Sequence, residues 1–292
     1  MKLIPPVIKW TGSKRPVAYK LAKLFPKSNR FFDPFVGGGA ILPFFQGKSA
    51  VVGDTIPELI ALWTSIKNKP ELVASEYAKK WNRLQTEGYK VYYEIRDNFN
   101  STKDPLDFLF LSRTCVNGLI RYNKDGEFNN SLHHTRPGIH PKTLYEIINN
   151  WSKWLQHTSF HNQDYRLTLF GAKSGDTVFL DPPYVGTGTR YIPQAFDYKA
   201  FYDELERLNK LGVNWILTLD GEAGGRLYDS KIPKELYKKH FKISTGKSPF
   251  SKVINNKDDN ILESVYLNYE PSVEVPSSII KKSAQPLSLF AQ

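Results

Sequence analysis

The residues best equipped for chemistry stand at three points along the chain. Asp181-Pro182-Pro183-Tyr184 follows a short apolar run, Thr177-Val178-Phe179-Leu180. Two prolines remove two backbone donors and fix φ, so their carbonyls stay turned outward. The Asp181 carboxylate and the Pro182 carbonyl then form a rigid acceptor pair beside an aromatic face. Such a cradle suits a planar amine, whose two N–H groups it accepts while Tyr184 stacks on the ring. Drawing hydrogen density off an exocyclic amine moves its nitrogen towards a tetrahedral, nucleophilic state, which is chemistry for a base turned out of its stack. Taken only as structure, the same tetrapeptide is a proline-rich turn at a strand end.

The second point is Asp33-Pro34-Phe35-Val36-Gly37-Gly38-Gly39-Ala40. Three glycines let the backbone turn tightly and approach a ligand. Neither G-x-G-x-x-G nor G-x-x-x-x-G-K-[ST] is present, so the usual dinucleotide and nucleotide-phosphate fingerprints are absent. The third point, Asp54, comes about 20 residues further on, where a carboxylate accepts hydrogen bonds from ribose hydroxyls. Its alternative role is to cap a helix starting near Pro57. A glycine turn followed by such an acid points to an adenosine-containing ligand.

These acids need strands to carry them. Residues 30–33, 50–54, 177–181 and 214–220 are apolar runs that each close on an aspartate, and helical patterns follow at 57–67 and 199–211. Strands alternating with helices predict a parallel sheet whose ligand lies beyond the carboxyl ends of the strands. Residues 56–154 are mostly helical in pattern, with one helix opened by Asp104-Pro105 and a polar loop over 117–141. Residues 263–269 alternate like a late antiparallel strand. The expected organisation is a sheet domain from 1–55 and 156–271, a helical domain from 56–155 inserted into it, and a tail from 272–292.

The chain's 292 residues and 40% hydrophobic content allow a substantial core. Forty Lys and Arg against 29 Asp and Glu give a net charge of +11, an excess that favours a polyanionic partner, most often nucleic acid. Between residues 231 and 257 eight lysines face a single acid, Glu235. One cysteine builds neither a disulfide framework nor a zinc site, so a reducing, cytoplasmic setting is expected. No apolar run of about 18 residues and no signal peptide are present, so no membrane partner is expected. The neighbouring His133 and His134 have no further ligand beside them, and no metal is expected.

Lys9-Trp10-Thr11-Gly12-Ser13-Lys14, the turn from Asp33 to Ala40, and Asp181-Pro182-Pro183-Tyr184 occur in that order. Between them stand Asn117-Gly118-Leu119-Ile120-Arg121-Tyr122-Asn123 and Gly126-Glu127-Phe128-Asn129. Together they resemble the Dam-type adenine-N6 DNA methyltransferases of the alpha motif order, over most of residues 7–270. The resemblance implies an α/β fold: the S-adenosylmethionine-dependent methyltransferase sheet, Rossmann-like with a late antiparallel strand, plus an inserted helical target-recognition domain. It implies methyl transfer from S-adenosylmethionine to a flipped adenine in double-stranded DNA, without metal or covalent intermediate.

Residue by residue, the resemblance assigns the cofactor to Trp10, Lys14, Asp33, Phe35, Gly37, Gly38, Gly39, Asp54, Asp164 and Asp181. Asp54 would hold the ribose and Asp164 the adenine amine. It assigns the target adenine to Asp181, Pro182, Pro183 and Tyr184. DNA contacts would come from Arg113, Asn117, Leu119, Arg121, Asn123, Lys124, Arg136, Lys247 and Lys252. Asn117 would enter the duplex, and Arg121 would read a guanine through its O6 and N7. Cys115 lacks the preceding proline of cytosine-C5 enzymes and is expected to pack in the helix from Asp104. After Asn129 the family's Val-Pro-aromatic-Gly run gives way to Asn130-Ser131-Leu132-His133, so GATC specificity is not implied. A monomer is expected, with a cognate restriction endonuclease as a partner the class allows. A DNA-binding regulator that kept the fold, and an RNA methyltransferase, are the competing readings.

Overall fold

The computed structural model describes residues 4–183, 196–223, 226–227, 232–247 and 260–273. Strands β1 (Arg30–Asp33), β2 (Ser49–Asp54), β3 (Thr158–Asn162), β4 (Thr177–Leu180) and β5 (Asn214–Ala223) form the parallel part of one sheet. A short β6 (Arg226–Leu227) pairs with β5, and β7 (Lys239–Lys247) and β8 (Asn260–Leu267) complete it. The order is β3-β2-β1-β4-β5-β8-β7, with β8 antiparallel to both β5 and β7. The chain runs outward from β1 to β3 on one side and from β4 to β5 on the other. That reversal opens a crevice beyond the carboxyl ends of β1 and β4.

Strand composition follows position in the sheet. All four residues of β4 are buried, as a central parallel strand covered on both faces requires. The alternation of β8 is a different matter: Glu263 and Ser264 are buried beside Val265 and Leu267. β8 lies between two neighbours, so its polar residues face the protein interior. β7 carries no plain strand signal, because Lys239, His240 and Lys242 interrupt it. Phe241 and Ile243 nevertheless point inward, and lysines are normal on a sheet edge. The basic stretch from 231 to 257 therefore contains a strand.

Helices α1 (Ala18–Ala22), α2 (Pro57–Asn68), α3 (Pro70–Glu87), α4 (Lys90–Thr102), α5 (Pro105–Thr114), α6 (Pro141–Trp154), α7 (Tyr165–Leu169) and α8 (Tyr198–Lys210) surround the sheet. α5 starts as its residues dictate: Asp104 accepts from the Leu106 N–H at 2.7 Å, with Pro105 in the first turn. Asp197 caps α8 in the same way, through the Ala200 N–H at 3.0 Å.

One sheet face, with Phe32, Val178, Leu180 and Leu217, packs on α8 through Phe201, Leu205 and Leu208. The other face carries Phe31, Val52, Phe179 and Ile216. Its core continues through Trp63 of α2 and Trp151 of α6 into Tyr77, Tyr92, Phe108 and Phe110. On this second face the sheet and the inserted helices thus share one core. No helix among the described residues is long and apolar enough to cross a membrane.

Candidate active site

Asp181 stands just past β4, at the lip of the crevice. Its Oδ1 receives two donors: the Lys14 ammonium at 2.9 Å and the Thr218 hydroxyl, from β5, at 2.9 Å. Lys14 is 2% exposed, and its Nζ also donates to the Gly12 carbonyl at 3.1 Å and lies 3.5 Å from Glu263 Oε1. A buried ammonium thus sits between two carboxylates that are themselves only 18% and 10% exposed. Low dielectric makes this arrangement stiff, since removing any one member leaves a buried charge poorly compensated. Next along the chain, the Tyr198 hydroxyl donates to the Pro183 carbonyl at 2.6 Å and ties the tetrapeptide to α8. Tyr184 lies outside the described residues.

Asp33 and Asp54 end the two neighbouring strands. Burial pushes the Asp33 carboxyl well above the usual carboxylate range, against the Phe35 N–H that it accepts at 3.3 Å; the charges of Asp181 and Asp54 push the same way as burial. Asp54 keeps partial exposure as a residue, yet desolvation of its carboxyl prevails over its backbone donors and raises it to about 6. Its two oxygens bridge the glycine turn and the entry to α2, accepting from Gly37 N–H at 3.1 Å and Ile56 N–H at 3.2 Å. The capping position itself is Ile56, which makes no side-chain cap, so Asp54 braces the turn instead of capping the helix.

Indoles account for the glycines. Gly37 has φ 44° and Gly39 φ 66°; a Cβ at Gly37 would meet Trp10 Nε1 at 2.6 Å and one at Gly39 would meet Trp63 Cζ2 at 2.9 Å. A Cβ at Gly38 would meet the Trp10 Cβ at 2.8 Å. Trp63 Nε1 also donates to the Gly37 carbonyl at 3.0 Å. The close approach that these glycines allow is to the protein's own side chains. Phe35, after the turn's first residues, stacks on Tyr165 at 5.5 Å between centroids. Asp164, the residue before Tyr165, caps α7 through the Arg166 N–H at 3.0 Å and pairs with the Arg166 guanidinium at 2.8 Å.

The residues expected at DNA divide into two groups. Asn117 is exposed at φ 57°, on a tight turn after α5, with Gly118 packed on Lys9. Asparagine tolerates this left-handed conformation better than most residues. Arg121 is exposed and braced by Asn129, through Nε to Oδ1 at 2.7 Å and Nη2 to the carbonyl at 3.0 Å. Lys124 and Arg136 are exposed. In the other group only Arg113 departs from expectation. Arg113 is 5% exposed and donates to the Pro6 carbonyl at 3.3 Å, so the packing of α5 against the N-terminal segment keeps it from the surface. Asn123 builds the hairpin turn, accepting from the Asp125 and Glu127 N–H groups and donating to the Glu127 carboxylate. Leu119 is half-buried beneath the Asn130 side chain, which bonds its carbonyl. The Lys247 side chain and Lys252 lie outside the described residues. Cys115 is buried at the end of α5, and burial pushes its thiol up to about 11.

Sequence reasoning did not single out Thr218, Glu263 or Tyr198. Glu263 left a trace, an acid inside an otherwise apolar strand. Thr218 and Tyr198 left none, because hydroxyls reach the site only through the pairing of β5 with β4 and the docking of α8.

A parallel sheet ending in an antiparallel pair, with acids gathered at its switch point, defines the methyltransferase class of α/β enzymes. Residues 10–249 match the family described as D12 class N6 adenine-specific DNA methyltransferase, and the chain belongs to that family. It is 27% identical over 301 residues to the Type II methyltransferase M.MjaIII of Methanocaldococcus jannaschii, across 91% of this chain and 99% of that one. It is 30% identical over 254 residues to the Type II methyltransferase M1.LlaDCHI of Lactococcus lactis subsp. cremoris, across 80% and 84%. Over 185 residues it is 31% identical to a DNA adenine methylase of Salmonella typhi, across 61% and 64%. The chain is therefore an adenine-specific DNA methyltransferase.

Proposed function

We propose that the enzyme binds S-adenosylmethionine in the crevice between β1 and β4 and methylates N6 of an adenine flipped out of double-stranded DNA. The observation that carries this reading is Asp181, held at the crevice by Lys14 and Thr218, close enough for its charge to act on Asp33. The donor set fits the cofactor's charge. A cluster of acids with one buried lysine disfavours phosphates and suits a ligand carrying a sulfonium and an ammonium. Asp54 would accept from the ribose hydroxyls, Asp164 would lie at the adenine amine beyond the Phe35–Tyr165 pair, and Trp10 would wall the turn. When bound, the cofactor supplies a methyl group already activated by the adjacent positive sulfur.

The protein then has to align and polarise. Asp181 and the Pro182 carbonyl accept the two hydrogens of the target amine, and Tyr184 offers the stacking face. Because two donors hold Asp181, the acceptor is fixed before the base arrives, which is how positioning lowers a barrier. The hairpin bearing Arg121 and the turn bearing Asn117 face the duplex, with Lys124, Arg136, Lys247 and Lys252 on phosphates. We read residues 56–155 as the recognition unit. The enzyme works as a cytoplasmic monomer, and two relatives named type II methyltransferases support a cognate restriction endonuclease.

Methylation mapping tests this reading. Unmethylated genomic DNA is incubated with the protein and S-adenosylmethionine and read by modification-sensitive long-read sequencing. N6-methyladenine confined to one short motif is expected, and Asp181→Ala should erase the mark while DNA retention on a filter persists. A wild-type protein that binds the cofactor yet leaves no mark would overturn the reading.

A further inference from the structure

We propose that Tyr198 is a positioning residue for methyl transfer: from the first turn of α8 its hydroxyl fixes the Pro183 carbonyl, and with it the Pro182 carbonyl that accepts one hydrogen of the target amine. This rests on the functional reading above and adds a residue to its machinery. The Tyr198 hydroxyl donates to the Pro183 carbonyl at 2.6 Å across 15 positions of sequence. Pro183 is exposed, so water would satisfy that carbonyl without Tyr198. The bond therefore adds little to folding, and what it supplies is a fixed direction. Both prolines hold φ by their rings, which leaves ψ as the soft rotation at each. At the near end of this short run, Asp181 Oδ1 is held by Lys14 and Thr218 at 2.9 Å each. With the Pro183 carbonyl held as well, the Pro182 carbonyl stands between two anchored points.

The anchors come from different elements. Thr218 belongs to β5, whereas Tyr198 is the first residue of α8. Helix α8 is a firm base: Asp197 caps it through the Ala200 N–H at 3.0 Å, the Asp197 carbonyl accepts from the Phe201 N–H at 3.1 Å, and Phe201 is fully buried against the sheet. The Tyr198 ring leans edge-on against Phe196 at 5.0 Å and lies 6.1 Å from the Tyr202 ring. Two neighbouring rings thus limit where the hydroxyl can go. In the reaction two acceptors must meet two N–H groups at once, and an angular error in either one weakens the polarisation of the nitrogen. A packed side chain outside the contact itself is what keeps a reacting group within a fraction of an ångström of its place.

The experiment compares wild type, Tyr198→Phe and Tyr202→Phe on a duplex carrying the motif that methylation mapping returns. Both variants lose one phenolic oxygen from α8, and only the first loses the bond to Pro183. Single-turnover methyl transfer is measured at saturating S-adenosylmethionine and duplex, alongside the affinities for S-adenosylhomocysteine and for the duplex. Tyr198→Phe is expected to slow transfer at least about fivefold while both affinities stay within about twofold of wild type, as when one neutral hydrogen bond is lost in the reacting state alone. Tyr202→Phe should transfer at the wild-type rate, and both variants should melt within about 3 °C of wild type. 2-Aminopurine at the target position should brighten as much with Tyr198→Phe as with wild type, which puts the defect after flipping. A wild-type transfer rate in Tyr198→Phe overturns the proposal. So does a loss confined to either affinity, a failure to brighten, an equal loss in Tyr202→Phe, or a melting point outside that range, each of which marks the hydroxyl as a binding or structural group. A wild type that leaves no mark in the mapping overturns the functional reading, and this proposal with it.

Discussion

Lys14 and Asp54 show how single residues set this site. Replacing Lys14 with Met removes the cation between Asp181 and Glu263. The expected cost is about 3–5 kcal/mol of stability, read from urea unfolding, because two buried carboxylates then face each other. Adding Glu263→Gln should recover part of that loss, while single-turnover methyl transfer stays low because Asp181 is no longer held. Full transfer in the Lys14→Met variant would show that the ammonium does not position Asp181. Asp54 sets a pH dependence. Its carboxyl is raised from 3.8 to about 6 in the folded protein, so between those values the folded state holds more proton than the unfolded one. Its contribution to stability is therefore full below the unfolded value and is lost as pH rises through about 6. Ribose hydroxyls prefer the ionised acceptor, so cofactor affinity should move oppositely and strengthen across that window. Calorimetry from pH 5 to 8 should show the rise in wild type and a flat profile in Asp54→Asn.

At the scale of elements, the hairpin of residues 121–129 is where base choice should reside. Arg121 is already oriented by Asn129, with two hydrogen bonds, before any duplex arrives. Arg121→Ala should relax discrimination at one base position by roughly 1–3 kcal/mol, measured as competing methylation of single-substitution duplexes. Asn129→Ala should relax the same position by a smaller amount, because the guanidinium is kept but its orientation is lost. A uniform loss across all duplexes in Arg121→Ala would mark it as a phosphate contact. The glycine turn belongs to this scale as well. Its shape is set by Trp10 and Trp63 on its two sides and by Asp54 at its amide, so the turn is formed by the protein before a ligand meets it.

Over the whole molecule, the excess of positive charge should govern encounter with DNA. Affinity is expected to fall steeply with salt, and each phosphate contact contributes about 0.9 to the slope of log K against log salt. Lys124→Ala and Arg136→Ala, at two exposed positions, should each lower that slope by about 1 without changing which motif is methylated. Arg113→Met should leave the slope unchanged, since its guanidinium is buried beneath the N-terminal segment. Fluorescence anisotropy titrations at several salt concentrations separate the three. The shared core has a consequence at the same scale: with Trp63 and Trp151 joining sheet to inserted helices, the two parts should melt in one transition.

The amino-acid sequence alone determined four of the five parallel strands and the acids at their ends, because buried runs closed by aspartate leave a local signature; β3 lacks that signature. It determined α2 and α8 to within a residue through their helical patterns, and the start of α5 through Asp104 and Pro105. Family and reaction were legible from short motifs, since the tetrapeptide from Asp181 and the turn from Asp33 are each contiguous. Tertiary structure decided what no contiguous signal could carry. β7 is a strand because β8 pairs with it, whatever its lysines say locally. Lys14 reaches Asp181 and Glu263 across most of the chain, and Arg113 is buried by residues more than 100 positions away. Side-chain partners depend on which strand lies beside which, and that order is a property of the assembled sheet.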